Sequence, residues 1–203
     1  MEAKTLQVNG CKCQALIHKA KGTPIVFLHV LSYNLGVRQR IGVTEFLAEK
    51  QVSFLALDMP YRLKSPCQPK NPSPQKNIDF VAKTYTTIFG ETAPVVVSAS
   101  LGGYIALKYA TQHKVKGLFL IAPAHAFDDE ALVKAYRSFD FPVHIVWGTN
   151  DTVISGEEMR TLTQKLPNAK MLTYSGAAHL AYQDYPEWFK RDLLMLYASA
   201  DTT

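Results

Sequence analysis

Short apolar runs alternate along this chain with stretches of helical period. The runs at 13–18, 24–29, 52–58, 94–98, 117–121, 143–147 and 170–174 are near-continuously apolar, which predicts strands covered on both faces. Between them, 43–50, 76–89, 102–113, 128–139, 156–166 and 188–198 carry the helical spacing. Ser155 stands as the cap of one helix, and Asn77 or Asp79 as the start of another. Regular strand–helix alternation predicts an α/β fold with a mostly parallel central sheet and helices on both faces. Residues 61–75, rich in proline, lysine and polar side chains, break the pattern and predict a long surface loop overhanging the strand ends. Tyr185, Trp188, Phe189 and Tyr197 recur at helical spacing with Leu193 and Leu196, as core packing does.

Composition narrows the setting. With 203 residues, 47% hydrophobic and 19% charged, the chain is expected to form one domain over 1–203. A domain of that size buries about 70% of its unfolded surface and needs no staple. The apolar runs are too short to cross a bilayer and residues 1–9 lack a leader's apolar core, so a cytoplasmic protein with no membrane partner is expected. The net charge of +5 comes from scattered Lys and Arg, a weak preference for anionic ligands without the basic run of a nucleic-acid binder. Cys11, Cys13 and Cys67 are an odd set without framework spacing, expected as reduced structural thiols. Cys11-x-Cys13 is half a metal site with no second cluster, so no metal is expected.

The candidate chemistry begins at Ala93-Pro94-Val95-Val96-Val97-Ser98-Ala99-Ser100-Leu101-Gly102-Gly103-Tyr104, read as a buried strand, a tight turn and a helix. Small neighbours on both sides of Ser100 permit a sharp reversal that projects its hydroxyl clear of the backbone. The Leu101 amide, at the start of the helix, is set to donate to a developing oxyanion. Downstream, Asp151 follows the strand 143–147 and His179 follows the strand 170–174, each at the carboxyl end where parallel sheets bind ligands. His179 as general base and Asp151 as its orienting acid complete a serine nucleophile. Alone, Ser100 reads equally as a helix cap, Asp151 as a turn residue and His179 as a surface histidine. Three strand-end placements in the order Ser, Asp, His are what join them.

These residues resemble the α/β-hydrolase fold superfamily, through Ser98-Ala99-Ser100-Leu101-Gly102-Gly103, Phe27-Leu28-His29, Leu57-Asp58-Met59-Pro60, Trp147-Gly148-Thr149-Asn150-Asp151 and Ala177-Ala178-His179. The resemblance implies nucleophile, acid and base roles for Ser100, Asp151 and His179, and an oxyanion hole of the Leu101 and Val30 amides. Two features depart from the family pattern: Val30 stands where a glycine often follows the histidine, and Ser98 replaces the glycine before the nucleophile. Some relatives carry the acid one strand earlier, where Asp128, Asp129 and Glu130 lie. Residues 124–141 leave room for one helix and no cap domain, which implies an open site. His29, Tyr33, Tyr61 and His125 are candidate substrate-lining residues, with a structural role the alternative for each histidine. Tyr33, Arg38, Arg40, Tyr61, Arg62 and Lys64 form either a polar selectivity surface or a solvated loop face.

The sequence therefore predicts a cofactor-free serine hydrolase acting through an acyl-enzyme on a small-molecule ester or thioester with a small or exposed acyl group. An acyltransferase using the same residues, or a non-catalytic binding protein of the same fold, are the alternatives.

Overall fold

The computed structural model describes residues 1–61 and 65–201. Arg62 and Lys64, read above as loop cations, lie outside the described residues. The strands are β1 (Glu2–Val8), β2 (Cys11–His18), β3 (Ile25–Leu28), β4 (Phe54–Leu57), β5 (Val95–Ala99), β6 (Gly117–Ile121), β7 (Val143–Gly148) and β8 (Ala169–Tyr174). The helices are α1 (Gly36–Arg40), α2 (Val43–Glu49), α3 (Pro74–Phe89), α4 (Leu101–Ala110), α5 (Glu130–Ala135), α6 (Gly156–Lys165), α7 (Ala181–Asp184) and α8 (Pro186–Asp201), with a 3₁₀ turn at Tyr136–Ser138 after α5.

One eight-stranded sheet runs in the order β1-β2-β4-β3-β5-β6-β7-β8, parallel from β4 through β8 and antiparallel at β1–β2 and β2–β4. β5 sits inside it with all five residues buried, as its three valines require. Its side chains alternate between two cores. Val96 joins Val26, Leu28, Leu118 and Leu120 beneath α3, α4 and α6. Val95, Val97 and Ala99 join Ile25, Phe27, Phe119 and Ile121 beneath α1, α2 and α8. Each fully buried valine contributes about 1.5–3 kcal/mol. Only α5 and the 3₁₀ turn occupy the connection from β6 to β7, so no cap covers the strand ends there.

Local chemistry sets the helix starts. Ser155 caps α6 by accepting from the Glu158 amide at 3.1 Å, as the sequence predicts. For α3 the cap is Ser73, accepting from the Lys76 amide at 3.4 Å, with Pro74 in the first turn. That corrects the expected start at Asn77 or Asp79. Proline fits a first turn because its missing N–H would have no intrahelical partner. Asn77 instead lies fully buried inside the helix and serves the neighbouring loop.

The cysteines need a larger correction. Cys13 on β2 is bridged to Cys67, 54 residues away, and Cys11 is free and buried. The bridge ties the segment after β4 to the sheet, beside a β-bridge between Lys12 and Gln68. Closing a loop of that length stabilises the fold by about 4 kcal/mol in the chain-entropy description. Thiol titration of the unfolded, unreduced protein is expected to find one thiol, and three after reduction. Three before reduction would remove the bridge. Among the described residues no helix is long and apolar enough to cross a membrane.

Candidate active site

The chain reverses at Ser100 with φ 51° and ψ −121°, a left-handed backbone that a residue with a Cβ rarely adopts. Such a conformation costs about 1–3 kcal/mol and persists only where neighbours over-determine it. Here the Ser100 amide donates to the Ile121 carbonyl (3.0 Å), and its carbonyl accepts from Gly103 (2.8 Å) and Ala124 (3.0 Å). α4 then starts hard against the loop after β3: a Cβ on Gly102 would stand 2.7 Å from the His29 carbonyl oxygen. Only glycine permits that approach. Neither the Leu101 nor the Val30 amide donates a hydrogen bond within the described residues, so both remain available at this junction.

Two strands further along, the loops after β7 and β8 are tied together. Gly148 lets the carbonyls of Ala177 and Ala178 approach where any side chain would collide. The Asn150 amide donates to the Ala177 carbonyl (2.8 Å) and the Gly176 amide to Thr149 Oγ1 (2.8 Å). The Ala178 amide is held by Asp184 Oδ2 at 2.7 Å. This stitching brings His179 Nδ1 to donate to Asp151 Oδ2 at 2.8 Å. Asp151 Oδ1 accepts from the amides of Val153 (2.8 Å) and Ile154 (3.0 Å), and its side chain is fully buried beside the partly exposed His179. The Ser100 hydroxyl makes no hydrogen bond among the described residues, so Asp151 and His179 are joined while the serine–histidine contact is open. Such contacts are commonly loose in unliganded sites and tighten with substrate. Thr149 and Asn150 lie in the run before Asp151 that the sequence singled out, but their bracing role, and that of Asp184, has no local signal.

The competing acids are otherwise engaged. Asp128 accepts from His125 Nδ1 at 2.7 Å, Asp129 caps α5 and pairs with Lys108 at 2.6 Å, and Glu130 faces Lys134 at 3.5 Å. The Lys108 hydrogen bond holds the Asp129 carboxyl below its usual range. Ser98 lies inside β5, buried between Leu28 and Leu120, away from the turn. His125 is exposed, at φ 57°, with its ring 5.8 Å from that of Tyr104. Glu158, at the start of α6, adds a carboxyl near Asp128 and Asp151; burial first, then the Asp128 charge, push its pKa up.

Three loop readings change. His29 is 2% exposed: the Met59 amide donates to its Nε2 (2.9 Å), which leaves Nδ1 to donate to the Val30 carbonyl (2.8 Å). It bridges the ends of β3 and β4 and does not line an open site. Tyr61 is also buried, its hydroxyl donating to the His29 carbonyl. Arg38, read as a loop cation, is on α1 and 1% exposed, its guanidinium carbon 4.4 Å from the Tyr182 ring centre and 5.2 Å from that of Phe27. No hydrogen bond reaches its three guanidinium nitrogens among the described residues, and burial drives its pKa down. The ring faces supply the electrostatic contact that water no longer gives. Tyr33, half-buried beneath the exposed Arg40, stays at the surface. A cavity of about 550 Å³ lined by Ala93, Val115, Lys116 and Phe141 lies at the amino ends of β5, β6 and β7, the edge opposite the candidate site.

A mostly parallel sheet with a strained strand-to-helix serine turn, and an Asp–His pair on the same edge, defines the class of α/β-hydrolase folds. The profile of the alpha/beta hydrolase family matches residues 77–191, and the chain belongs to that family. Among curated proteins it is similar to ABHD14A of Danio rerio, 30% identical over 179 residues, covering 87% of this chain and 65% of that protein. The chain thus spans under two thirds of that relative. ABHD14B of Homo sapiens, named as a candidate protein-lysine deacylase, is 28% identical over 84% of this chain and 80% of its own length. In fold it matches an esterase of Thermogutta terrifontis with a TM-score of 0.81, 13% identity and 99% and 100% coverage of the two chains.

Proposed function

We propose that this protein is a serine hydrolase that cleaves a carboxylic ester or thioester through an acyl-enzyme. The observation that carries the reading is Ser100 at φ 51° on the turn from β5 to α4, on the sheet edge where His179 donates to Asp151 at 2.8 Å. In this reading Ser100 Oγ attacks the acyl carbon while His179 Nε2 takes its proton. Asp151 keeps the other proton on Nδ1 and stabilises the imidazolium. The amides of Leu101 and Val30 receive the negative charge on the carbonyl oxygen. As the C–O or C–S bond breaks, His179 returns the proton to the leaving alcohol or thiol. Water, deprotonated by His179, then attacks the acyl-serine; as the C–O bond to Ser100 breaks, His179 returns that proton to Ser100 Oγ and the carboxylic acid leaves, ionising in solvent.

The uncapped connection from β6 to β7 supports a small acyl group, or one at the tip of a larger molecule. The name of the human relative, a candidate protein-lysine deacylase, shares the second feature, an acyl group presented by a macromolecule, although an acyl-lysine is an amide and not an ester or thioester. The test is intact-mass analysis after a fluorophosphonate probe, followed by a panel of short acyl esters and thioesters. One adduct, retained in Ser98→Ala and absent in Ser100→Ala, is expected. A folded wild-type protein that takes no adduct and turns over nothing in the panel would sink the reading.

A further inference from the structure

The loop after β3 offers Val30 to the site, and the direction of its amide is set by the peptide it shares with His29. In a trans peptide the carbonyl and the next residue's N–H point opposite ways in one plane. Whatever grips the His29 carbonyl therefore aims the Val30 N–H. The group that grips it is the Tyr61 hydroxyl.

Tyr61 is itself held at both ends. Its ring stands edge-on to His29 with centroids 5.4 Å apart. Its amide donates to Asn77 Oδ1 at 3.1 Å, and the fully buried Asn77 donates to the carbonyls of Asn71 and Ser73, each at 2.8 Å. The brace thus runs from the cap of α3 through Tyr61 to the peptide between residues 29 and 30. A Cβ on Gly102 would lie 3.2 Å from the Tyr61 oxygen and 2.7 Å from the His29 carbonyl, so the start of α4, which carries the Leu101 amide, meets the brace at one point. The next peptide is fixed similarly: the Met59 amide occupies His29 Nε2 and leaves Nδ1 to donate to the Val30 carbonyl. Met59 and Tyr61 both belong to the segment leaving β4.

We propose that Tyr61 is a positioning residue for the oxyanion hole, holding the His29–Val30 peptide so that the Val30 amide faces the developing charge. The inference rests on the acyl-hydrolase reading above. Tyr61 touches no reacting atom; without its hydroxyl the His29 carbonyl loses this donor and the peptide is held less firmly, which lets the Val30 N–H move out of line.

Tyr61→Phe keeps the ring and removes the brace. On an ester turned over by the wild type, kcat is expected to fall about 10- to 100-fold, less than the roughly 100- to 1,000-fold that outright loss of one oxyanion donor costs, because the Val30 amide is misaligned and not removed, with KM within about twofold. The inhibition constant of a boronic acid, whose tetrahedral adduct on Ser100 mimics the transition state, is expected to rise by the same factor. Tyr85→Phe, which removes a buried hydroxyl-to-carbonyl bond (to Thr92, 2.6 Å) at the far end of α3, serves as the control and is expected to leave kcat per folded molecule unchanged. An unchanged kcat in Tyr61→Phe, or a raised KM alone, would overturn the proposal while leaving the hydrolase reading intact. Amide NMR decides the brace independently of turnover. The Val30 resonance is expected to shift or broaden in Tyr61→Phe and to hold still in Tyr85→Phe. An unmoved Val30 amide overturns the brace even in a protein inert to every ester.

Discussion

Ser100→Ala is expected to lower kcat on any ester or thioester substrate by about four to six orders of magnitude and to abolish fluorophosphonate labelling, while the protein stays folded. The two halves of this expectation have separate causes. Turnover collapses because the acyl-enzyme route needs an oxygen nucleophile, and a methyl group leaves only the oxyanion donors and binding. The fold survives because the Ser100 hydroxyl has no hydrogen bond among the described residues; the turn is held by backbone bonds to Ile121, Gly103 and Ala124, which alanine keeps. Stability is therefore expected to stay within about 0.5 kcal/mol of wild type by denaturant unfolding. Ser98→Ala provides the contrast: its buried hydroxyl has no partner among the described residues, so removing it is neutral or slightly stabilising and leaves kcat intact. Substantial turnover in Ser100→Ala, or its loss in Ser98→Ala, would move the nucleophile.

What the sequence disclosed and what it hid follow from the range of the interactions involved. The central strands were legible because burial on both faces demands continuous apolar runs, as at β5 and β6. β1 escaped because it is an edge strand whose residues are mostly exposed, giving no such run. Its signal lay in Asn9–Gly10, both at positive φ between β1 and β2, the residue pair that a tight hairpin favours. The Asp151–His179 pairing was legible because each residue sits directly past a strand whose place in an α/β sheet is predictable. Tyr61 and His29 were legible only as loop residues. Their role depends on two strand ends, β3 and β4, meeting beside a helix start, and no local pattern records that. The same holds for the Cys13–Cys67 bridge, and for Arg38, whose aromatic surroundings come from β3, α7 and α8.

Asp151→Asn is expected to lower kcat by about four orders of magnitude with little change in KM or in fold, because the hydrogen bonds around the side chain dictate how asparagine must sit. Oδ1 accepts from two backbone amides, Val153 at 2.8 Å and Ile154 at 3.0 Å. An NH₂ group turned toward them would set N–H against N–H and take the acceptor from both donors, beside a side chain that is itself fully buried. The asparagine oxygen therefore takes the Oδ1 position and its NH₂ faces His179 Nδ1. A nitrogen that donated at 2.8 Å must now accept, so the ring proton moves to Nε2. That nitrogen can no longer take a proton from Ser100, and the imidazolium formed during attack loses its counter-charge. Nitrogen-15 NMR of His179 is expected to report this tautomer exchange directly, alongside the fall in kcat. Asp151→Ala should instead destabilise the protein as well, since the turn after β7 then loses the acceptor for both amides. A loss below tenfold in Asp151→Asn would mean that another carboxylate orients the base, and Glu158, the nearby carboxyl whose pKa burial raises, would become the first to replace.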